Sequence, residues 1–450
     1  MLSEAKNHAL TRVGPGTPMG ALLRRYWHPV AAVSELAEKN VKPVRLMGED
    51  LVLYRTDTDG YGLVQRRCPH RGADLGQGWT EGQSLRCSYH GWMFDRSGSC
   101  VEQPYEDMVG SSAPFRDKVK IDAYQAVAFA GMIWAYLGPA PAPLVPMFEP
   151  FTWRRGFVQV ILSELPCNWL QCHENSVDPV HFEWRHTNYI VRESEPGSPD
   201  RGPRHSGLEF QEFEFGIVVA RSAELTTALA APVAPTSRPE TSGIACLWPN
   251  VLYTGSNLEW RVPIDDTTTL NIVWHYSPIP TDMPATEQES IPYWYGPVVD
   301  DDGELLTSHI LNQDFAAWVG QGATADRTGE RLGRSDAGIV MLRKRLFADL
   351  ERVGRGEDPQ GVIRDPASNR CILLPLDKRQ MYRDGVDRTF FEERLRRVFD
   401  WRLNSDPSYA VQFGQPAPVR HAFEKAMGID PDFLDLRGKV RRSVNGECDV

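Results

Sequence analysis

The sequence predicts an α+β protein, with an N-terminal all-β module followed by a larger region in which antiparallel strands give way to helices. Three observations carry that expectation. From Val41 to Pro139, short alternating runs are punctuated by turn signals. Alternation returns over residues 207–278. In DAGIVMLRKRLFADLERV, 336–353, Ile339, Leu342, Leu346, Leu350 and Val353 fall at steps of three and four, the helical period.

The elements follow in order. MGALLRRYW, 19–27, reads as a short amphipathic helix after a GPGTP turn. VRLMGEDLVLYRTDTDGYGLVQRRC, 44–68, reads as strand, turn at Gly48–Asp50, strand, Asp-Gly turn, strand. WMFDRSGSCVEQ adds a strand, a turn and a strand, and QAVAFAGMIWAYLGP two strands meeting near Gly131. The Pro-rich GPAPAPLVPMFEP, 138–150, marks a boundary, dividing the chain into 1–150, with the β module at about 42–139, and 151–450. FVQVILSEL reads as a strand and CNWLQCHENSVDPVHFEW as a helix with an irregular C-terminal end. LEFQEFEFGIVVARS, SGIACLWPNVLYTG, LEWRVPID and TTLNIVWHYSPI are candidate antiparallel strands. A polar connector, PIPTDMPATEQESIP, leads to the helices, the last candidate being FFEERLRRVFDWRL, 390–403.

The chain's 450 residues, 41% hydrophobic and 24% charged, suffice for two or three domains with cores of their own. A net charge of −11 argues against a nucleic-acid partner, because phosphate binding rests on clustered Lys and Arg. The eight cysteines are spread thinly, which suits a reducing cytoplasm better than a disulfide framework. With neither a secretory leader nor an apolar run of about 20 residues, a soluble cytoplasmic protein is expected.

CPHRGADLGQGWTEGQSLRCSYHGW, 68–92, arranges Cys68 and His70 on one loop and Cys87 and His90 on another. Four N/S donors suit tetrahedral zinc or a [2Fe–2S] cluster in which two histidines replace two cysteines on one iron. Zinc fingers pair cysteine with cysteine and histidine with histidine. Here each loop supplies one of each, as a Rieske cluster requires if both loops reach both irons. The stretch resembles the Rieske domain of ring-hydroxylating oxygenases, and the resemblance implies Cys68 and Cys87 on one iron, His70 and His90 on the other. Ala73 and Tyr89 stand where respiratory-type Rieske proteins carry extra cysteines, which implies the oxygenase or ferredoxin type. Gly72 and Gly91 allow tight turns that present N–H groups to the cluster sulfurs.

NWLQCHENSVDPVHFEWRHTNY, 168–189, contains Asp178, His181 and His186. His181 and His186 are five apart, about 140° around an ideal helix. Both reach one metal only if the helix ends or bulges between them, and Pro179 already marks an irregularity. Two imidazoles and a carboxylate make the facial triad of non-heme Fe(II) oxygenases. The pattern is similar to the catalytic domain of the same oxygenases, in their phthalate dioxygenase-like group, over nearly the whole chain. That likeness implies a curved antiparallel sheet flanked by helices, and a third ligand at Asp314 in LNQDFAAWVGQGATADRTGERLGRSDAGIV, with Asp326 and Asp336 as rivals more in keeping with a turn and a helix cap. It implies that Asp178 bridges His181 to a cluster histidine of a neighbouring subunit, at the position of His90, and hence a homo-oligomer, most simply a trimer. Asn175 is expected near the iron.

Cys167 and Cys172 open a ferredoxin-like spacing that Asn175 breaks off, and no Gly-x-Gly-x-x-Gly follows a strand. Electrons are therefore expected from NAD(P)H through a separate flavin and iron–sulfur reductase, with or without a ferredoxin. The resemblance implies O₂-dependent oxidation of an aromatic carboxylate, by hydroxylation or by oxidative O-demethylation of a lignin-derived methoxylated biaryl acid, with cis-dihydroxylation of a phthalate- or chlorobenzoate-type substrate as the alternative. Arg185, Arg192 and Arg221 are cations within reach of a carboxylate, with surface arginines as the plainer reading. A Rieske electron carrier or a metal scaffold without catalysis is the reading from another class.

Overall fold

The computed structural model describes residues 1–189 (59, 111 and 112 apart), 192, 197, 204–224, 243–376 (286, 287 and 308 apart), 383, 385–389 and 414–429. The helix expected at 390–403 lies outside the described residues.

The N-terminal strands are β1 (His28–Ala32), β2 (Val41–Leu46), β3 (Glu49–Arg55), β4 (Tyr61–Gln65), β5 (Trp79–Glu81), β6 (Ser84–Arg86), β7 (Met93–Phe94), β8 (Cys100–Glu102), β9 (Ala123–Phe129) and β10 (Met132–Tyr136). They form a six-stranded sheet in the order β1-β10-β9-β4-β3-β2 and a four-stranded sheet β5-β6-β7-β8. Two hairpins close with two-residue loops in which both residues have positive φ, Met47–Gly48 and Ala130–Gly131. This geometry matches the twist of the flanking strands. The first turn therefore lies one position earlier than its sequence signal, because Glu49 already pairs with Leu46.

An eight-stranded sheet follows, of β11 (Gly156–Leu165), β12 (Arg204–Phe213), β13 (Gly216–Glu224), β14 (Ile244–Leu247), β15 (Val251–Tyr253), β16 (Asn257–Pro263), β17 (Thr269–Pro278) and β18 (Tyr293–Tyr295). Its order is β12-β13-β14-β15-β16-β17-β11-β18, antiparallel except that β18 runs parallel to β11. β18, three residues beside Pro292, carries no alternation long enough to be read from sequence. Both faces of β16 and β17 are covered. One side presents Leu258, Trp260, Val262, Ile272 and Trp274 to the main core; the other presents Glu259, Arg261, Asn271 and His275, which stay buried because they pair with one another and with Asn257 and Ser277.

The helix Ile310–Val319 packs over that polar side, with Trp318 under the Arg261 guanidinium at 4.7 Å. The helix expected at 336–353 runs Ala337–Gly354 and buries Leu342 and Leu346. A helix at Glu4–Thr11, capped by the Ser3 hydroxyl, precedes the helix expected at 19–27, which runs Pro18–Leu23 and ends before Tyr26 and Trp27. Its Thr11 carbonyl accepts from Asn168, so the start of the chain is tied to the entry of the Trp169–Glu174 helix. One hydrophobic cluster joins Leu10 and Leu22 of the N-terminal segment, Trp134 of β10 and Trp260 of the large sheet. No helix among the described residues is long and apolar enough to cross a membrane, and the seven described cysteines are unpaired.

Candidate metal centres

The loops carrying the Cys/His quartet share one backbone design. In the first, the Gly72 N–H donates to the Cys68 carbonyl at 2.9 Å; in the second, the Gly91 N–H donates to the Cys87 carbonyl at 3.0 Å. Gly72 (φ 72°) and Gly91 (φ 75°) hold the left-handed conformation that closes each loop, which a side chain would strain. The cysteines point inward, 2% and 1% exposed, while His70 and His90 lie at the surface with ring centroids 4.4 Å apart. His70 stacks on Trp92 at 4.5 Å, which fixes its plane. Burial, opposed by the His70 backbone N–H and reinforced by Cys87, pushes the Cys68 thiol up to about 12. Two thiols in contact in such a place become thiolates only beside a cation. The four residues do not converge on one point as a single zinc would demand; two inner sulfurs and two outer imidazoles fit a two-iron cluster.

The second group grows from a helix that cannot continue. Asn168 caps Trp169–Glu174 by accepting from the Leu170 N–H, and a 3-10 turn, Asn175–Val177, extends it. Asp178 then turns extended (φ −110°, ψ 94°), as a residue before proline prefers. After Pro179 the chain re-enters a helical turn at His181–Glu183 and widens into a π turn, Trp184–Asn188, closed by Tyr189 N–H to Trp184 O. A π turn brings positions five apart onto one side, the irregularity that the His181–His186 spacing demands. The imidazoles lie 5.0 Å apart at 78°.

Asp314 meets them from the Ile310–Val319 helix. Its Oδ1 is 3.2 Å from His186 Nε2 and 3.6 Å from His181 Nε2, and among the described residues these three side chains form a group whose ligand atoms all lie within 4.8 Å. Asp326 and Asp336 lie elsewhere: Asp326 closes a turn on Thr328, and Asp336 accepts from the Gly333 N–H. Burial holds the His181 imidazole down at about 4, with Asp314 opposing and His186 reinforcing, so it is neutral near pH 7. Burial pushes the Asp314 carboxyl up, and protonated His186 and His181, then Arg261, outweigh it and hold the carboxyl below its ordinary range; with both rings neutral, a bound cation takes their part.

Gln313 is the residue that sequence reasoning missed. It is fully buried, its Nε2 donates to the Thr307 carbonyl at 3.0 Å, and its Oε1 therefore faces His186 Nδ1, 2.9 Å away, as an acceptor. That places a proton on His186 Nδ1, so that in the neutral ring Nε2 is a lone pair. The buried Nε2 has no hydrogen-bond partner although Asp314 Oδ1 lies 3.2 Å away. Two acceptors face each other without a proton between them, an arrangement a cation relieves, so the residues fit a metal ion. The one sequence signal was adjacency to Asp314.

Asn175 Nδ2 sits 3.3 Å from His181 Nε2 and 3.2 Å from Asp314 Oδ1. Asp178 Oδ2 lies 3.9 Å from His181 Nδ1 while its Oδ1 accepts from the Val180 N–H, and burial pushes its carboxyl up. Glu174, one residue before Asn175, is clamped by Arg327 (2.7 Å) and Arg343 (2.6 Å). Arg185 donates from Nε to the Gln313 carbonyl and lies over Tyr189, Arg192 is exposed, and Arg221 lies over Phe182 at 4.1 Å. Cys167 and Cys172 touch each other at 3.6 Å in the core.

Residues 26–114 match the Rieske [2Fe-2S] domain family, and residues 287–373 the LigXa C-terminal domain-like family. The chain belongs to the Rieske non-heme iron oxygenases as an oxygenase subunit, and it carries a Rieske [2Fe–2S] cluster and a mononuclear iron. It is 48% identical to the 5,5'-dehydrodivanillate O-demethylase oxygenase subunit of Sphingobium sp. strain SYK-6, over 96% of this chain and 98% of that one. It is 34% identical to the phthalate 4,5-dioxygenase oxygenase subunit of Pseudomonas putida, covering 80% and 89%. In fold it is similar to NdmA of Pseudomonas putida CBB5 solved with caffeine, at TM-score 0.52 and 22% identity over 77% of this chain and 98% of that chain.

Proposed function

We propose that this chain is the terminal oxygenase of a system that removes a methyl group from a methoxylated aromatic carboxylate, with 5,5'-dehydrodivanillate the first candidate. The observation that carries the reading is the meeting of His181, His186 and Asp314, with the His186 Nε2 lone pair turned on the Asp314 carboxylate. These three are the iron's ligands, and Cys68, His70, Cys87 and His90 those of the cluster. The substrate class comes from the 48% identical relative. Iron held by these three residues would supply the activation of O₂.

The chain's own residues do the rest. Gln313 fixes the His186 tautomer, and Asn175 stands beside His181 and Asp314 as an amide donor to whatever approaches them. Demethylation balances as ArOCH₃ + O₂ + two electrons + two protons giving ArOH, formaldehyde and water. Those electrons come from NAD(P)H by way of a separate reductase, as this chain has no nicotinamide-binding motif. His90, exposed at the cluster's edge, is where a neighbouring subunit's Asp178 would take them up, which favours a homo-oligomer, most simply a trimer. Residues 1–150 hold the electron-relay part and 151–450 the catalytic part, with the Pro-rich 138–150 between them.

The test is product analysis with purified reductase, NADH and 5,5'-dehydrodivanillate. Stoichiometric formaldehyde and a newly freed phenol are expected. A cis-diol without formaldehyde would replace this reading with the dioxygenase one, for which the phthalate 4,5-dioxygenase relative speaks.

A further inference from the structure

Strand β13 breaks its own alternation at one position. Ile217 and Val219, 0% and 1% exposed, face the core, and Arg221 is the next residue on that side. A cation on an inward face is expected to have a counter-ion, and the comparable arginines do. Arg86 holds Glu81 and Glu102, Arg261 holds Glu259, and Arg327 and Arg343 share Glu174. The Arg221 side chain has neither a carboxylate partner nor a hydrogen bond among the described residues, and the Phe182 ring lies 4.1 Å from its guanidinium carbon. Burial alone lowers its pKa to about 10. The other side of the relation is the metal group: the Phe182 ring lies 4.5 Å from the imidazole of His181 and 5.2 Å from that of His186. One aromatic ring thus separates from the triad a cation that has no counter-ion among the described residues.

We propose that Arg221 anchors the substrate's carboxylate, pairing its guanidinium fork with both carboxylate oxygens so that the aromatic ring extends from Arg221 towards His181, His186 and Asp314. The inference rests on the reading of the substrate as an aromatic acid. The chemistry suits the residue, since a planar fork of donors matches a carboxylate in two parallel hydrogen bonds. Desolvating a cation without a partner costs free energy that an anionic ligand returns on binding, and a neutral analogue returns none of it. Arg185 is less suited, because its Nε is already engaged by the Gln313 carbonyl.

The experiment is calorimetric binding of 5,5'-dehydrodivanillate and of its dicarboxamide, to the cluster- and iron-loaded wild type and to Arg221→Gln and Arg221→Lys. Matched melting temperatures and cluster absorption identify variants that fold. The wild type is expected to prefer the acid; Arg221→Gln should weaken acid binding roughly 10- to 100-fold and amide binding less than about threefold, with Arg221→Lys recovering part of the loss. A wild type without preference for the acid, or a preference that survives Arg221→Gln, overturns the anchor. Equal losses for acid and amide also overturn it, and assign Arg221 to packing on Phe182. Formaldehyde release is read separately: acid bound through Arg221 but yielding no formaldehyde would sink the demethylase reading and leave the anchor standing.

Discussion

At the scale of single residues, the site is governed by which ring nitrogen carries a proton. His186 is set by a neutral amide, Gln313, whose own orientation is fixed by the Thr307 carbonyl. Gln313→Leu should leave the fold and the cluster signal intact yet weaken iron binding by roughly 10- to 100-fold, read by metal titration with Co(II) as a spectroscopic substitute. Unchanged affinity would mean that packing alone orients His186. His28 illustrates a second residue-level cause. It is fully buried, and burial lowers its pKa to about 4 from the ordinary 6.5, with the Leu23 carbonyl opposing. The folded state therefore resists a proton that the unfolded chain accepts, so stability is full above pH 6.5 and falls as pH drops towards 4. His28→Gln, which can still donate to Leu23, should flatten that acid limb by about 1.4 kcal/mol per pH unit in urea titrations between pH 6.5 and 4.5.

At the scale of elements, the metal group depends on three pieces of chain being held in register: the broken helix at 169–178, the π turn at 184–188 and the Ile310–Val319 helix. Glu174 ties the first to the remainder by receiving both Arg327 and Arg343, with Arg327 also reaching Asn7. Glu174→Gln leaves two buried guanidiniums short of charge and should cost about 3 kcal/mol or more, seen as a fall in denaturation midpoint. A loss under about 1 kcal/mol would mean that Glu330, which also pairs with Arg343, balances the charge without Glu174. The break at Asp178–Pro179 was legible in the sequence because proline is a local signal, and so was the need for a bulge between His181 and His186. The arginine clamp was not, since its partners are distant in sequence and nothing in Glu174's neighbours announces them. The Glu4–Thr11 helix escaped for a similar reason: its apolar positions are few, and its docking depends on Asn168 and Arg327.

At the scale of the molecule, the cluster loops were readable because each ligand pair lies within four residues, so spacing alone distinguishes them from zinc. Asp314 was reached only through family resemblance, as sixty acidic residues give spacing no power to choose; the fold brings it to His181 and His186 by laying its helix across the π turn. Arg221 was one of three arginines the sequence offered for a carboxylate, and only the facing of β13 and the Nε contact of Arg185 set it apart. On the proposed reading the chain holds two separate metal functions, a relay at Cys68, His70, Cys87 and His90 and a reacting centre at His181, His186 and Asp314. The most direct measurement is His181→Ala, followed by iron content, the EPR spectrum of the dithionite-reduced protein and product formation side by side. An unchanged rhombic cluster signal, loss of the mononuclear iron and no product are expected. Product at the wild-type rate from a protein lacking that iron would contradict that reading.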